Sequence, residues 1–203
     1  MNAFWHDLVT QKSWEVLTRL RAKYRFTLIG GWAVFLYART LKSKDIDLIL
    51  DYDELGRFQQ EHPLTKNERL RKYEARQEEV EIDVYVPHYS DPGLPAAEVL
   101  RHTAILEGFG VPRAEVLLVL KQHAFSQRAG SAKGEKDRLD IVSLLNGAPM
   151  DWDFYKGLAQ KHRPGALQEL RDLLAAIREA PDLGLNAHQV SRLKIRLRRG
   201  LGG

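Results

Sequence analysis

The sequence contains no cysteine, which excludes a disulfide framework, thiolate catalysis and a zinc–thiolate centre. No apolar run approaches the about 18 residues that a membrane-spanning helix requires; Val116 to Leu120 is far too short. The opening MNAFWHDLVTQKSW has no signal-peptide h-region. The seven histidines show no metal-ligand spacing, and no internal repeat is present. Charge of one sign is scarce: the net charge is +4 and the pI of 9.3 leans basic without marking a nucleic-acid binder. These absences leave a soluble cytosolic protein as the expectation. With 203 residues the chain fits one compact domain with a helical extension, or two small domains.

What is present centres on residues 26 to 51, FTLIGGWAVFLYARTLKSKDIDLILD. A short apolar run, Phe26 to Ile29, predicts a strand. Gly30-Gly31 follows, then a helical stretch from Trp32 to Arg39, a Lys42-Ser43-Lys44 hinge, and a second strand from Asp45 to Leu50. Asp45 and Asp47 alternate with Ile46 and Leu48, so both carboxylates leave one face of that strand, about 6.6 Å apart along it. Burying two acids at the start of an apolar strand is costly unless a metal or donors compensate. Glycine allows close backbone approach, and a helix starting beside it points free amides at whatever sits there, as a phosphate would.

Before this stretch, Leu8, Val9, Trp14, Val16, Leu17 and Leu20 suit an amphipathic helix over residues 4–23. After it, Asp53 is the expected cap of a short helix from Glu54 to His62, stopped by Pro63. Leu64 to Arg76 reads as an edge strand or hairpin arm. Glu79 to Val86 is a clear strand, with Val80, Ile82, Val84 and Val86 on one face and Glu81, Asp83 and Tyr85 on the other. Asp83 is thus a third strand acid; Glu81 shares its face but lies nearer the strand's start. Ala96 to His102 is expected to be a short helix and Ala104 to Val111 a strand or loop pair. Pro112 suits the first turn of a helix from Arg113 to Arg128, with Lys121 at the edge of its buried surface, either snorkelling or gripping a phosphate. Ala129 to Lys136, AGSAKGEK, reads as a mobile surface loop and lacks Walker A spacing. Asp137 and Asp140 share a helical face and suit a dipole-favoured first turn. Three helical patterns complete the chain: Phe154 to Lys161, Pro164 to Ala180, and Asn186 to Arg199. The last carries Arg192, Lys194, Arg196, Arg198 and Arg199, a concentration of charge that suits either a solvated face or an RNA backbone.

Gly-Gly at a strand end, Asp-x-Asp on the next strand and Asp on a later one form a specific combination. Three convergent carboxylates holding two Mg²⁺ ions serve nucleotidyl transfer: one ion activates the attacking hydroxyl, the other neutralises the leaving pyrophosphate. Oxygen-only ligands fit Mg²⁺. Over residues 26–145 the sequence resembles the DNA polymerase β-type nucleotidyltransferase superfamily. More narrowly, Gly30-Gly31-Trp32-Ala33, Ser43-Lys44-Asp45-Ile46-Asp47-Leu48, Lys121 and Lys136-Asp137…Asp140 resemble AbiEii/AbiGii-type and MenT-type nucleotidyltransferase toxins. That resemblance implies an α+β fold: a mixed sheet flanked by helices over residues 1–111, then a C-terminal helical region over residues 112–203. It implies Asp45, Asp47 and Asp83 as metal ligands. Gly30, Gly31 and Ser43 would hold the nucleotide, Lys121 would grip the triphosphate, and Asp137 would position Lys121 or the acceptor. It further implies Mg²⁺, with an NTP as co-substrate. The acceptor would be RNA, typically tRNA, and an antitoxin protein the partner. Many superfamily members have Gly-Ser where this chain has Gly30-Gly31, so the serine's phosphate contact must come from elsewhere. Gly-Gly-Trp also resembles lincosamide nucleotidyltransferases, leaving a small antibiotic of lincosamide or aminoglycoside type as an alternative acceptor. Partner-adenylylating antitoxins and a catalytically inactive nucleotide- or partner-binding module are the remaining alternatives.

Overall fold

The computed structural model of the chain describes residues 3–202, with side chains from Asp7 onward. An N-terminal helix α1 (Ala3–Lys23) leads into β1 (Thr27–Ile29), α2 (Gly30–Ala38) and β2 (Ile46–Ile49). The chain continues through α3 (Tyr52–Gln59), a hairpin of β3 (Thr65–Asn67) and β4 (Lys72–Gln77), and β5 (Val80–Tyr85). Helix α4 (Ala96–Leu100) and a second hairpin, β6 (Thr103–Leu106) and β7 (Phe109–Pro112), precede the helices α5 (Ala114–Arg128), α6 (Ala132–Gly147), α7 (Trp152–His162), α8 (Ala166–Ala176) and α9 (Ala187–Leu201). The seven strands form one mixed sheet in the order β3-β4-β5-β2-β1-β7-β6. The architecture is therefore α+β, a mixed sheet flanked by helices. Among the described residues no helix is long and apolar enough to cross a membrane.

Period-two patterning decides the sheet's faces. Val80, Ile82 and Val84 of β5 are buried, while Glu81, Asp83 and Tyr85 alternate outward. Ile46, Leu48 and Ile49 of β2 are buried beside them. Leu117, Leu118 and Val119 of α5, and Ile141, Leu144 and Leu145 of α6, join the same core. Helix α1 is tied to the nucleus of the fold by Trp32, whose indole nitrogen donates to Ser13 Oγ at 2.9 Å inside the core; its ring lies 5.0 Å from that of Trp14.

Several local expectations give way. Pro112 closes β7, where its ring needs no N–H, and Arg113 is the N-cap of α5. Asp51, not Asp53, precedes the first turn of α3, which ends at Gln59. The stretch expected as a mobile loop is largely helix: Ser131 caps α6 by accepting from the Gly134 amide at 3.0 Å, and the helix runs from Ala132. Its AGSAKGEK composition signalled a loop, but Ser-x-x-Gly provides a cap and the apolar face of Leu139 to Leu145 provides the packing. The β4–β5 turn places Glu78 and Glu79 at φ of 50° and 71°, between the paired Gln77 and Val80. Two residues at positive φ define a type I′ hairpin turn, which sequence usually announces with Asn-Gly. Here Arg19 of α1 binds Glu78 at 2.7 Å and Lys12 binds Glu79 at 3.3 Å.

Candidate active site

Strand register builds the site. In the antiparallel β1–β2 pair Ile29 faces Asp47, so Gly30, the next residue, lies against the Asp47 carboxylate. Gly30 has φ of +68°, and a Cβ there would collide with that carboxylate; this is a close approach only glycine permits. In the parallel β2–β5 pair Asp47 faces Asp83 directly. Asp45 stands just before the first residue of β2. The three acids line one cleft of about 340 Å³ together with Gly31, Ser43 and Lys121. Glu81, the alternative third acid, is exposed and lies outside this cleft, lining the neighbouring groove.

Asp47 is the electrostatically stressed member. Burial raises its carboxyl to about 6, Asp83's charge adds to the rise, and Lys121 opposes it. Its side chain makes no hydrogen bond or ion pair among the described residues. Asp83 is also raised, by burial first, but a cation offsets it: Lys72 Nζ lies 2.6 Å from its Oδ2 and 3.1 Å from Glu74 Oε1. Burial works against the Lys72 charge, yet Asp83 and Glu74 together raise its pKa. Glu74 faces Asp83 across the β4–β5 ladder, and Lys72, two residues earlier on the same face, reaches Asp83 along the diagonal.

Lys121 neither snorkels nor stands at an edge. Its ammonium is buried, 3.2 Å from Asp137 and 2.7 Å from Asp140. Burial disfavours its charge, but Asp140 and Asp137 more than offset that and raise its pKa. Asp137 and Asp140 occupy the buried face of α6 rather than a solvated first turn. Both Asp137 oxygens are engaged, the second by Arg128 Nε at 2.6 Å. Asp140 also accepts from Lys136 Nζ at 3.2 Å. The result is a five-member network of Lys121, Arg128, Lys136, Asp137 and Asp140, all but Asp140 lining the cleft.

The Gly30-Gly31 departure has a geometric counterpart. A Cβ on Gly31 would lie 2.7 Å from Ser43 Oγ and 2.8 Å from Lys136 Nζ. The space a residue-31 side chain would take is thus filled by a hydroxyl and an ammonium from elsewhere in the chain.

The sequence reading brought Gly30, Gly31, Ser43, Asp45, Asp47, Asp83, Lys121 and Asp137 forward as one site, and all eight converge on this region. Lys72 and Arg128 were not foreseen, and Lys136 entered only as part of the Lys136-Asp137 motif, with no role of its own. Spacing did not signal the contacts of Lys72 and Arg128: the first needs the β4–β5 register, and the second needs the α5–α6 packing. Among the described residues no group of three or more His, Asp or Glu side chains is gathered closely enough to hold a metal ion. The donor chemistry nevertheless suits a hard cation. The ligands offered are carboxylates alone, and Asp47 is half-buried with no donor to offset it.

If Lys72 occupies the place of a cation at Asp83, Lys72→Met will tighten Mn²⁺ binding, by roughly tenfold for about 1.4 kcal/mol of relieved competition. Electron paramagnetic resonance titration of free Mn²⁺ reads this without any turnover. Equal or weaker Mn²⁺ binding in the variant would refute the competition.

The architecture, a mixed sheet flanked by helices with acids at the β1–β2–β5 junction, is similar to the fold of solved nucleotidyltransferase structures. No protein-family model and no curated protein matches the sequence. Solved structures do match. The antibiotic-resistance factor ANT(2″)-Ia aligns with a TM-score of 0.53 at 16% identity, covering 82% of this chain and 98% of that one. An antigenic nucleotidyltransferase-like protein from Paracoccidioides brasiliensis aligns at 0.42 and 19% identity, covering 81% and 93%. The Megavirus polyadenylate synthase aligns at 0.46 and 13%, covering 73% of this chain and 32% of that one.

Proposed function

We propose that this chain is a Mg²⁺-dependent nucleotidyltransferase that moves an NMP from an NTP to an RNA acceptor such as tRNA, as the toxin of a toxin–antitoxin pair. The observation that carries the transferase reading is the Asp47–Asp83 register, which sets two half-buried strand acids side by side against a glycine turn, with Asp45 at the mouth. Two Mg²⁺ ions bound there would activate the acceptor hydroxyl and neutralise charge on the departing pyrophosphate. Asp45, Asp47 and Asp83 would hold them. The free amides of α2 at Gly30 and Gly31, joined by the Ser43 hydroxyl, would hold the triphosphate. Lys121 would present a fixed positive charge to the triphosphate. Asp137 acts on Lys121 rather than on the acceptor, because both its oxygens are already engaged with Lys121 and Arg128.

The toxin assignment and the RNA acceptor rest on the motif resemblance. A small antibiotic is the second reading, favoured by the fold likeness to the antibiotic-resistance factor. Incubating the protein with Mg²⁺ and each labelled NTP, in the presence of total RNA, protein extract or aminoglycosides and lincosamides, separates them. Label on RNA is the expected result. Label on an antibiotic alone would replace the RNA reading, and no transfer to any acceptor would leave a binding module.

A further inference from the structure

Beside the nucleotide cleft lies a second, larger groove of about 730 Å³ under the β3–β4 hairpin, sharing Asp45, Asp83 and Lys133 with the cleft. A molecule seated there reaches two of the acids that line the nucleotide cleft, Asp45 and Asp83. We infer that this groove seats the single-stranded end of an RNA acceptor, with Arg69, Arg76 and Lys133 holding its phosphodiester backbone; the inference rests on the transferase reading above.

The groove's charges do not cancel as their count suggests. Lys72 lies between Asp83 and Glu74 and offsets one of their two charges, Glu74 also accepting from Asn67 Nδ2 at 2.8 Å; on the transferase reading Asp45 and Asp83 face the metal ions, which offset the rest. The remaining carboxylate is Glu81, exposed and facing Arg76 across the β4–β5 ladder without closing an ion pair. Against it stand Arg69, Arg76 and Lys133, all exposed and all without an acidic partner among the described residues. With Asp45 and Asp83 facing the metal ions and Lys72 facing Glu74, three exposed cations to one exposed acid suits a polyanion. A polycationic aminoglycoside would need the reverse. Leu70, 43% exposed, lines the same groove with Pro63, giving an apolar seat for an unstacked base or ribose, as single-strand sites commonly do.

The final helix, where the sequence concentrates its charge, is placed and occupied differently. Arg196 donates to the carbonyls of Leu145 and Asn146 at the C-terminal end of α6, and Lys194 to that of Ala175. Asn146 is nine residues beyond Asp137 on α6, about 13 Å along its axis, so Arg196 lies at the end of that helix away from the acids.

The test is fluorescence anisotropy of a short fluorescein-labelled single-stranded RNA over a salt series. It compares wild type, Arg69→Gln/Arg76→Gln, and Arg192→Gln/Arg196→Gln/Arg199→Gln, with circular dichroism confirming the fold of each. Neither Arg69 nor Arg76 lines the nucleotide cleft, so affinity for mant-labelled NTPs should be unchanged in the first variant. Its RNA affinity should fall roughly 20-fold at about 0.1 M salt, with the salt slope reduced by about 1.4, or about 0.7 for each phosphate left without its arginine. RNA binding that survives Arg69→Gln/Arg76→Gln and disappears in the α9 variant overturns the groove. Wild type that binds mant-NTP but not RNA overturns it too, in favour of a small acceptor. Wild type that binds neither overturns the transferase reading itself.

Discussion

Asp47→Asn is expected to abolish nucleotide transfer while making the protein more stable than its parent. Removing a metal-holding carboxylate forfeits several kcal/mol of transition-state charge stabilisation, and about 4 kcal/mol corresponds to roughly a thousandfold in rate; Asp45→Asn should do the same. The stability effect has the opposite sign. Burial and the Asp83 charge hold the Asp47 carboxyl at about 6, against 3.8 for the free group. Between those values the folded protein binds more protons than the unfolded chain, so stability falls as pH rises. The cost of ionised Asp47 is absent below about pH 4 and complete above about pH 6. The two pKa values differ by about 2.2 units, which at 1.36 kcal/mol each sets a ceiling of about 3 kcal/mol. Urea denaturation at pH 8 should therefore show Asp47→Asn to be more stable, by about 1 to 3 kcal/mol, and the gain should vanish at pH 4. Full transfer activity in the variant would remove Asp47 from the metal site. A loss of stability at pH 8 would contradict its electrostatic isolation.

Lys121→Met carries the second large effect, this time on stability. An edge lysine could be replaced by methionine at little cost, because the aliphatic stem still packs. Here the ammonium is the centre of a buried network, and removing one partner of such a pair costs about 3 to 5 kcal/mol. The lower end is expected, about 3 kcal/mol, because Arg128 still faces Asp137 and Lys136 still faces Asp140. For a chain of this size that lowers Tm by about 6 to 12 °C. Denaturant unfolding checks the magnitude. Affinity for mant-labelled NTP, measured well below the variant's melting range, checks the role. A folded variant with unchanged NTP affinity would restrict Lys121 to holding α5 against α6. Reduced affinity would mark its charge as part of the phosphate site.

Two kinds of information were legible in different places. The Asp45/Asp47 alternation and the β5 pattern, Val80, Ile82 and Val84 in and Asp83 out, follow from local stereochemistry. A strand's side chains alternate whatever lies beside it. Gly30 carried its meaning for the same reason, since only glycine tolerates both its positive φ and the approach of Asp47. The acids and the glycine turn were therefore readable without coordinates, and the α+β class was implied by the family resemblance those residues carry. Register was not. That Asp47 stands opposite Asp83, and that Lys72 reaches Asp83 along a diagonal, depends on how β2, β4 and β5 align over long sequence separations. Spacing along one strand carries no trace of that alignment. The β4–β5 turn was hidden because Glu78-Glu79 adopts a conformation its residue types disfavour, in contact with cations from α1. The loop expected at Ala129 to Lys136 became helix because packing of α6 against α5 and α2 outweighs a glycine-bearing first turn. The same packing buried Lys121, Asp137 and Asp140, which sequence placed at a surface: a charged side chain reads as exposed until its partners are brought to it, and those partners lie on a different helix.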